Sequence, residues 1–369
     1  MNVPVGRLNL LTDKMRFGAA VGGVAFVVAL VLLIQALYAG YRESARFFVQ
    51  NVPTDLWVGQ AGSFDLYRST SIIHPDAVLQ LSLTSEVLTI GEIRGRQARF
   101  TGDDGVRMST LFISFAPAIQ SQVTPVLQME QYPAPGQIAI SDYVAKKTGL
   151  VVGDKVMVAD HELTVSEVLE VKSPPFGTFS IIDYDEANAI FDMEDNVTYV
   201  LVQVQDQNSL DAAITAIQER VPGLSVHTKP DFADNSSKTV TEFLPVIGVI
   251  LAMSYLVGIV ITGLTIYTAT VEKTRDYGVL KAIGARNSFV YGIVIYQSMA
   301  VSIIGFAIGL PMALGASLLA ESSVPEFITE FNPTSALITF VAVLAMGIFA
   351  SVLPVRRITS IDPAMVFRA

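Results

Sequence analysis

Four stretches of the chain run for at least 25 residues without a charged side chain: Phe17 to Tyr41, Phe243 to Val271, Phe289 to Ala320 and Phe331 to Val355. A membrane-spanning helix needs about 20 apolar residues to cross a hydrocarbon layer about 30 Å thick. Each run therefore predicts a crossing, at 17–41, 243–271, 289–320 and 336–355, with 321–335 as a short loop between the last two. The first run is longer than the apolar region of a cleaved signal peptide and no A-x-A site follows it, so it reads as a retained span. In the third, Pro311 removes one helix hydrogen bond two residues after Gly309, which predicts a kink.

Residues 42–242 carry a different pattern. Lys155 to Val158 and Leu163 to Val171 alternate apolar and polar positions at period two, with Gly153-Asp154 as the turn before them. Thr198 to Val204 is a further strand. Ser209 stands at the N-cap position of an amphipathic helix reaching Val221, and Pro222-Gly223 ends it before a strand at Leu224 to His227. This is a β-α-β unit, while Arg68 to Gln131 reads only as mixed helix and strand. The pattern as a whole predicts a membrane protein of four transmembrane α-helices with a large mixed α+β extracytoplasmic domain between helices 1 and 2. A domain joined at both ends to a span must feel any shift of either helix.

Charge sets the expected orientation. Segments 1–16, 272–288 and 356–369 together hold 10 basic and 4 acidic residues, whereas 42–242 holds 14 basic and 27 acidic. By the positive-inside rule the first three face the cytoplasm, with both termini, and the large domain lies outside the cell (inner) membrane. The net charge of −10 disfavours nucleic acid as a partner. With no cysteine, disulfides, iron-sulfur clusters and thiol catalysis are excluded.

Little in the chain suggests catalysis. It contains no Gly-Lys pair, hence no phosphate-binding P-loop, and no Gly-x-Gly dinucleotide fingerprint. His74, His161 and His227 are scattered and lack the spacing of a zinc site or a triad, so they read as surface or hydrogen-bonded residues. No metal or cofactor is expected on this chain. The four spans hold no Asp, Glu, Lys, Arg or His, which removes most support for an ion-coupled carrier. Two G-x-x-x-G pairs, Gly18 with Gly22 and Gly305 with Gly309, are candidates for close helix packing.

The second span continues into VEKTRDYGVLKAIGARNSF, where Tyr277, Leu280 and Ile283 recur every three residues as an apolar stripe on a short helix. Gly284 suits the left-handed position that ends such a helix, and Lys281 complements its dipole. Shape alone leaves two readings open: a helix lying among lipid headgroups, or one docking into a partner's groove.

The string from Glu272 to Ala285 (EKTRDYGVLKAIGA) resembles the cytoplasmic signature of the FtsX/MacB-type ABC transporter permeases: Glu, basic, x, Arg, acidic, x, Gly, x, Leu, x, Ala, x, Gly, Ala. RLNLLTDKMR before the first span is similar to the family's amphipathic N-terminal helix, here 1–16. Pro354 to Ala369 (PVRRITSIDPAMVFRA) is similar to its usual ending. One span, a large outside domain and three further spans is also the family's topology. The resemblance implies a homodimeric permease subunit, without a nucleotide-binding domain of its own, that recruits a separate ABC ATPase, with ATP and Mg bound there. Carried over, Glu272, Lys273, Arg275, Asp276, Tyr277, Gly278, Leu280, Lys281, Ala282, Ile283 and Gly284 would form the coupling helix. Asp276 stands where Glu is commoner, and Tyr277 where an aliphatic residue is commoner.

In such a family ATP-driven closure would move the outside domain and expel a hydrophobic or amphiphilic substrate such as a lipid, lipoprotein, drug or haem, alone or with a periplasmic adaptor. A relative of the haem-exporting kind would use Tyr38 or Tyr41 as iron ligands, although tyrosines at that depth are more often interfacial anchors. The alternative is an FtsX-like mechanotransmitter that regulates an extracytoplasmic partner such as a cell-wall hydrolase and transports nothing.

Overall fold

The computed structural model describes residues 14–359 except 68, 103–104, 171–177, 207–208, 243, 273, 283 and 325. The chain divides into two compact units, one of residues 1–40 with 243–369 and the other of residues 41–242. The N-terminal helix expected over 1–16 and the tail from 360 lie outside the described residues, apart from Lys14 to Arg16.

In the first unit, four helices are long and apolar enough to cross a membrane. They are α1 (Lys14–Asn51), α8 (Leu244–Glu272), α10 (Asn287–Ser323) and α11 (Pro333–Thr359). Helical hydrogen bonding continues past the expected boundaries into polar sequence that no longer needs lipid: α1 passes Tyr41 to reach Asn51, and α11 passes Val355 to reach Thr359. Pro311 lies inside α10, which continues unbroken on both sides of it.

Glycines let these helices approach. A Cβ built on Gly23 of α1 would lie 2.8 Å from Ile261 of α8, and one on Gly258 of α8 would lie 2.6 Å from Met346 of α11. In lipid there is no hydrophobic drive between helices, so close van der Waals fit of this kind carries the packing. A polar pair crosses the bundle: Thr339 Oγ1 of α11 donates to Gln35 Oε1 of α1 at 3.1 Å.

The second unit is a mixed α/β domain built on nine strands: β1 (Leu56–Gln60), β2 (Val87–Gly102), β3 (Arg107–Phe115), β4 (Gln137–Ser141), β5 (Lys155–Val158), β6 (His161–Leu169), β7 (Phe179–Ile182), β8 (Tyr199–Val204) and β9 (Leu224–Thr228). The order is β3-β7-β4-β6-β5-β2-β8-β1-β9, and β3 also pairs with β2. That extra pairing closes six strands into a ring. The long β2 belongs to both parts, because Val87 to Ile93 pair with β8 whereas Phe100 to Gly102 pair with β5. Alternate residues of the ring, including Phe100, Phe112, Ile138, Ile140, Val156 and Leu163, share one core.

In the open sheet β2-β8-β1-β9 the inner strands β8 and β1 are buried on both faces, which explains their nearly continuous apolar runs. Leu56, Val58, Val200 and Val202 point toward α2 (Pro75–Ser82) and α6 (Leu210–Arg220). Trp57, Tyr199 and Leu201 point the other way, toward the end of α1 and α7 (Lys229–Thr241). Trp57 stacks on Phe232 of α7 with ring centroids 4.8 Å apart. Within this unit the end of α1 and α7 are tied together. Arg46 pairs with Asp234 at 3.0 Å, and Lys229 Nζ donates to the carbonyls of Gln50 and Val52, which neutralises the negative end of α1.

The segment 68–131 resolves into α2, β2, β3 and α3 (Pro117–Val126). Ser209 precedes α6 but does not cap it: its hydroxyl donates to Asp206 O at 2.7 Å, a local turn that competes with capping. The strand expected at 163–171 begins earlier, at His161, because a two-residue turn joins it to β5. The remaining helices of the unit, α4 (Asp142–Thr148) and α5 (Tyr184–Phe191), follow β4 and β7. Asp183 caps α5 by accepting from the amides of Asp185 and Glu186.

Candidate functional site

Between α8 and α10 the chain folds into one short helix, α9 (Thr274–Ala282). The local sequence accounts for its C-terminal limit. Thr274 turns its hydroxyl back to Val271 O at 2.5 Å. At the other end Gly284 takes φ +96°, a left-handed conformation that costs glycine least, and donates to Lys281 O at 3.0 Å. Asn287 and Ser288 already belong to α10.

Tyr277 faces inward. It is 1% exposed and packs among Ile266 of α8, Val290, Ile293 and Val294 of α10, and Val355 of α11. Gly278 beside it is also buried. An aromatic ring can fill the space where three helix ends diverge, and burying it anchors α9 by an apolar contribution of about 2–3 kcal/mol. The outward face is instead Arg275, Val279 and Ala282, spaced by four and three residues and so aligned on one side of the helix. Val279 is 44% exposed, and Phe289 at the start of α10 is 41% exposed. Lys273 and Ile283, and the side chains of Asp276 and Leu280, lie outside the described residues.

The result is a helix pinned on one side and presenting a small mixed apolar and basic face on the other.

The other candidates separate clearly. Gly305 and Gly309 both meet α1: a Cβ on Gly305 would lie 2.7 Å from Val24 Cβ, and one on Gly309 would lie 2.6 Å from Ala25 O. A Cβ on Gly18 or Gly22 would meet nothing within 4 Å among the described residues, whereas Gly23 of α1 faces Ile261 of α8. His227 Nε2 lies 3.0 Å from Ser63 O, and His74 precedes α2 without capping it by its side chain. Among the described residues no three His, Cys, Asp or Glu side chains are grouped to hold a metal.

The sequence model for the FtsX-like permease C-terminal domain matches residues 248–363, a span that contains α9 and the three helices around it. The model for the MacB-like periplasmic core domain matches residues 17–220, more than half of the chain. The chain belongs to the MacB/FtsX-like permease family.

This permease is 29% identical over 178 residues to the macrolide export ATP-binding/permease protein MacB of Agrobacterium fabrum, which covers 46% of this chain and 27% of that protein. It is 26% identical over 244 residues, 65% of each chain, to a Staphylococcus epidermidis protein carrying the name of hemin transport system permease protein HrtB. The chain thus spans about a third or less of the length of the first MacB relatives it matches. The periplasmic region of MacB from Actinobacillus actinomycetemcomitans overlaps 53% of this chain and 94% of its own, with a TM-score of 0.36 and 8% identity.

Sequence reasoning passed over Gln35, Thr339 and Val279. The first two escaped a search for ionisable groups, and Val279 escaped because the apolar stripe was assigned to its neighbours.

Proposed function

We propose that this chain is the permease subunit of an ABC-type exporter, in which α9 receives force from a separate ATPase. Displacement then passes through the bundle to the outside domain and expels a hydrophobic or amphiphilic substrate such as a lipid, lipoprotein, drug or haem. The observation that carries the reading is the two-sided geometry of α9 within the permease-type C-terminal segment: Tyr277 holds it to three helices while Arg275, Val279 and Ala282 face outward. In this reading α9 and both termini are cytoplasmic, two copies of the permease work together, ATP and Mg are bound by the partner, and an adaptor takes up the substrate outside.

The test is coexpression with a cognate ABC ATPase. Val279→Asp and Arg275→Glu should abolish copurification and ATPase stimulation while leaving the permease folded. Wild-type assembly and activity in both variants would overturn the proposal.

A second reading, a mechanotransmitter acting on an extracytoplasmic enzyme, draws on the ties between α1 and α7, which bind both connecting helices into one core. Reconstituted permease with its ATPase should move a labelled amphiphile out of the membrane. ATP-dependent activation of a bound wall hydrolase without such movement would favour the second reading.

A further inference from the structure

Between α8 and α11 lies a cavity of about 510 Å³. Gly263 and Ala350 form its floor, where the two helices touch closely enough that a Cβ on Gly263 would lie 3.3 Å from Ala350 O. Val260, Leu264 and Tyr267 form one wall and Phe349 the other. The wall residues are exposed: 56% for Val260, 62% for Leu264 and 65% for Phe349.

We propose that this groove binds one acyl chain of an anionic phospholipid, from the leaflet next to the α8–α10 connection. Both helices that line it are long and apolar enough to span the bilayer, so the groove is continuous with the lipid-facing surface and its surrounding solvent is hydrocarbon. A chain lying in it replaces loose lipid contacts with close ones to both walls and to the glycine floor. The groove also has a direction. It runs from Val260 toward Tyr267, which lies five residues before Glu272 at the end of α8, so its open end approaches the membrane surface. There the tyrosine hydroxyl can meet a headgroup, and among the described residues the next exposed cation along the chain is Arg275. An anionic head complements that end, where basic residues outnumber acidic ones over 272–288. The site adjoins α9, so lipid occupancy would bear on the same helix that docks the motor. The inference rests on the membrane placement of the helices and not on the exporter reading.

The test uses the full chain in nanodiscs containing phosphatidylglycerol with a diazirine in one acyl chain. After irradiation, peptide mapping should find adducts at Leu264 and Phe349 enriched about fivefold over Ile295 and Ile303, which are exposed on α10. Val260→Trp, or Leu264→Trp as a second block, should bring Phe349 labelling down to the Ile295 level with unchanged size-exclusion behaviour, whereas Ile303→Trp should leave it intact. Phosphatidylcholine carrying the same diazirine should label Phe349 about fivefold less. Uniform labelling of groove and control positions overturns the proposal, and equal labelling by both lipids overturns its anionic part. The chain has no cysteine, so a Phe349→Cys variant can crosslink only between copies. Oxidation to a mostly dimeric product would show that a second copy covers the groove, and would also overturn the proposal.

Discussion

Gly40 of α1 lies against the main-chain carbonyl of Ile328 in the loop between α10 and α11, so close that an added Cβ would stand 2.7 Å from the Ile328 carbonyl carbon. The neighbouring contacts hold the loop there: Glu330 N donates to Ala36 O at 2.9 Å, and Thr329 donates to Glu321 Oε1 through its amide and its hydroxyl. Backbone cannot swing aside as a flexible side chain can. Gly40→Val should therefore cost about 1–3 kcal/mol, read as a lowered thermal midpoint in detergent. Gly18→Ala, with nothing within 4 Å, should leave the midpoint unchanged or raise it, since alanine favours helix by up to about 1 kcal/mol. A Gly40 variant as stable as wild type would contradict the contact.

Tyr277 and Val279 are two residues apart and should respond oppositely. Tyr277→Ala empties a site enclosed by three helices and should destabilise the bundle by about 3–5 kcal/mol. Val279→Asp alters an exposed position and should change stability by no more than about 0.5 kcal/mol. Parallel unfolding curves for the two variants are the check; equal losses would place Val279 inside.

Arg94 is 5% exposed, and its guanidinium lies 3.9 Å from the ring centroid of Tyr184. It donates to Tyr184 O at 3.0 Å, to Asn196 O at 3.4 Å and to Asp195 Oδ1 at 3.3 Å. Tyr184 in turn donates its hydroxyl to Glu92. Arg94→Met leaves buried carbonyls without donors and should cost about 1–3 kcal/mol. Asp195 is 75% exposed, so losing that ion pair alone is screened, and Asp195→Asn should cost less than about 1 kcal/mol. Chemical denaturation followed by the single tryptophan, Trp57, measures both.

Burial pushes the hydroxyls of Tyr67, Tyr132, Tyr184 and Tyr199 above the ordinary tyrosine range, helped at Tyr184 by its hydrogen bond to Glu92 and at Tyr67 and Tyr199 by the charge of Asp65. In the unfolded chain these groups lose their protons near pH 10, whereas in the folded domain they keep them. The folded state then binds more protons, so the stability these groups confer is complete below about pH 10 and falls as pH rises beyond it. Tyr199→Phe removes one such group, together with its hydrogen bond to Asp65 O, and should make the alkaline decline shallower while lowering stability at pH 7 by about 1 kcal/mol. An unaltered slope above pH 10 would refute the assignment.

The spans were legible because lipid offers no partner for a charge or an open amide, so any crossing segment must be apolar and helical whatever surrounds it. The strands at 155–158 and 199–204 were legible for a similar local reason, since alternation or a continuous apolar run records one or two buried faces. Gly284 could be placed because few other residues tolerate its backbone angle.

Other features depend on residues far apart in the chain. A helix apolar on every side, such as α8, has no preferred face in its sequence, so the contacts of Gly23, Gly258 and Gly263 emerged only once four helices were set together. The ring also needs β3 beside β7 and β2 beside β5, which join Leu111 to Phe179 and Phe100 to Val158, pairings that no local pattern encodes. Tyr277 shows the same limit at one residue. Spacing showed that it lies on one face of a helix, but whether that face turns inward depends on the gap left by Ile266, Val290 and Val294, which is a matter of volume and not of period.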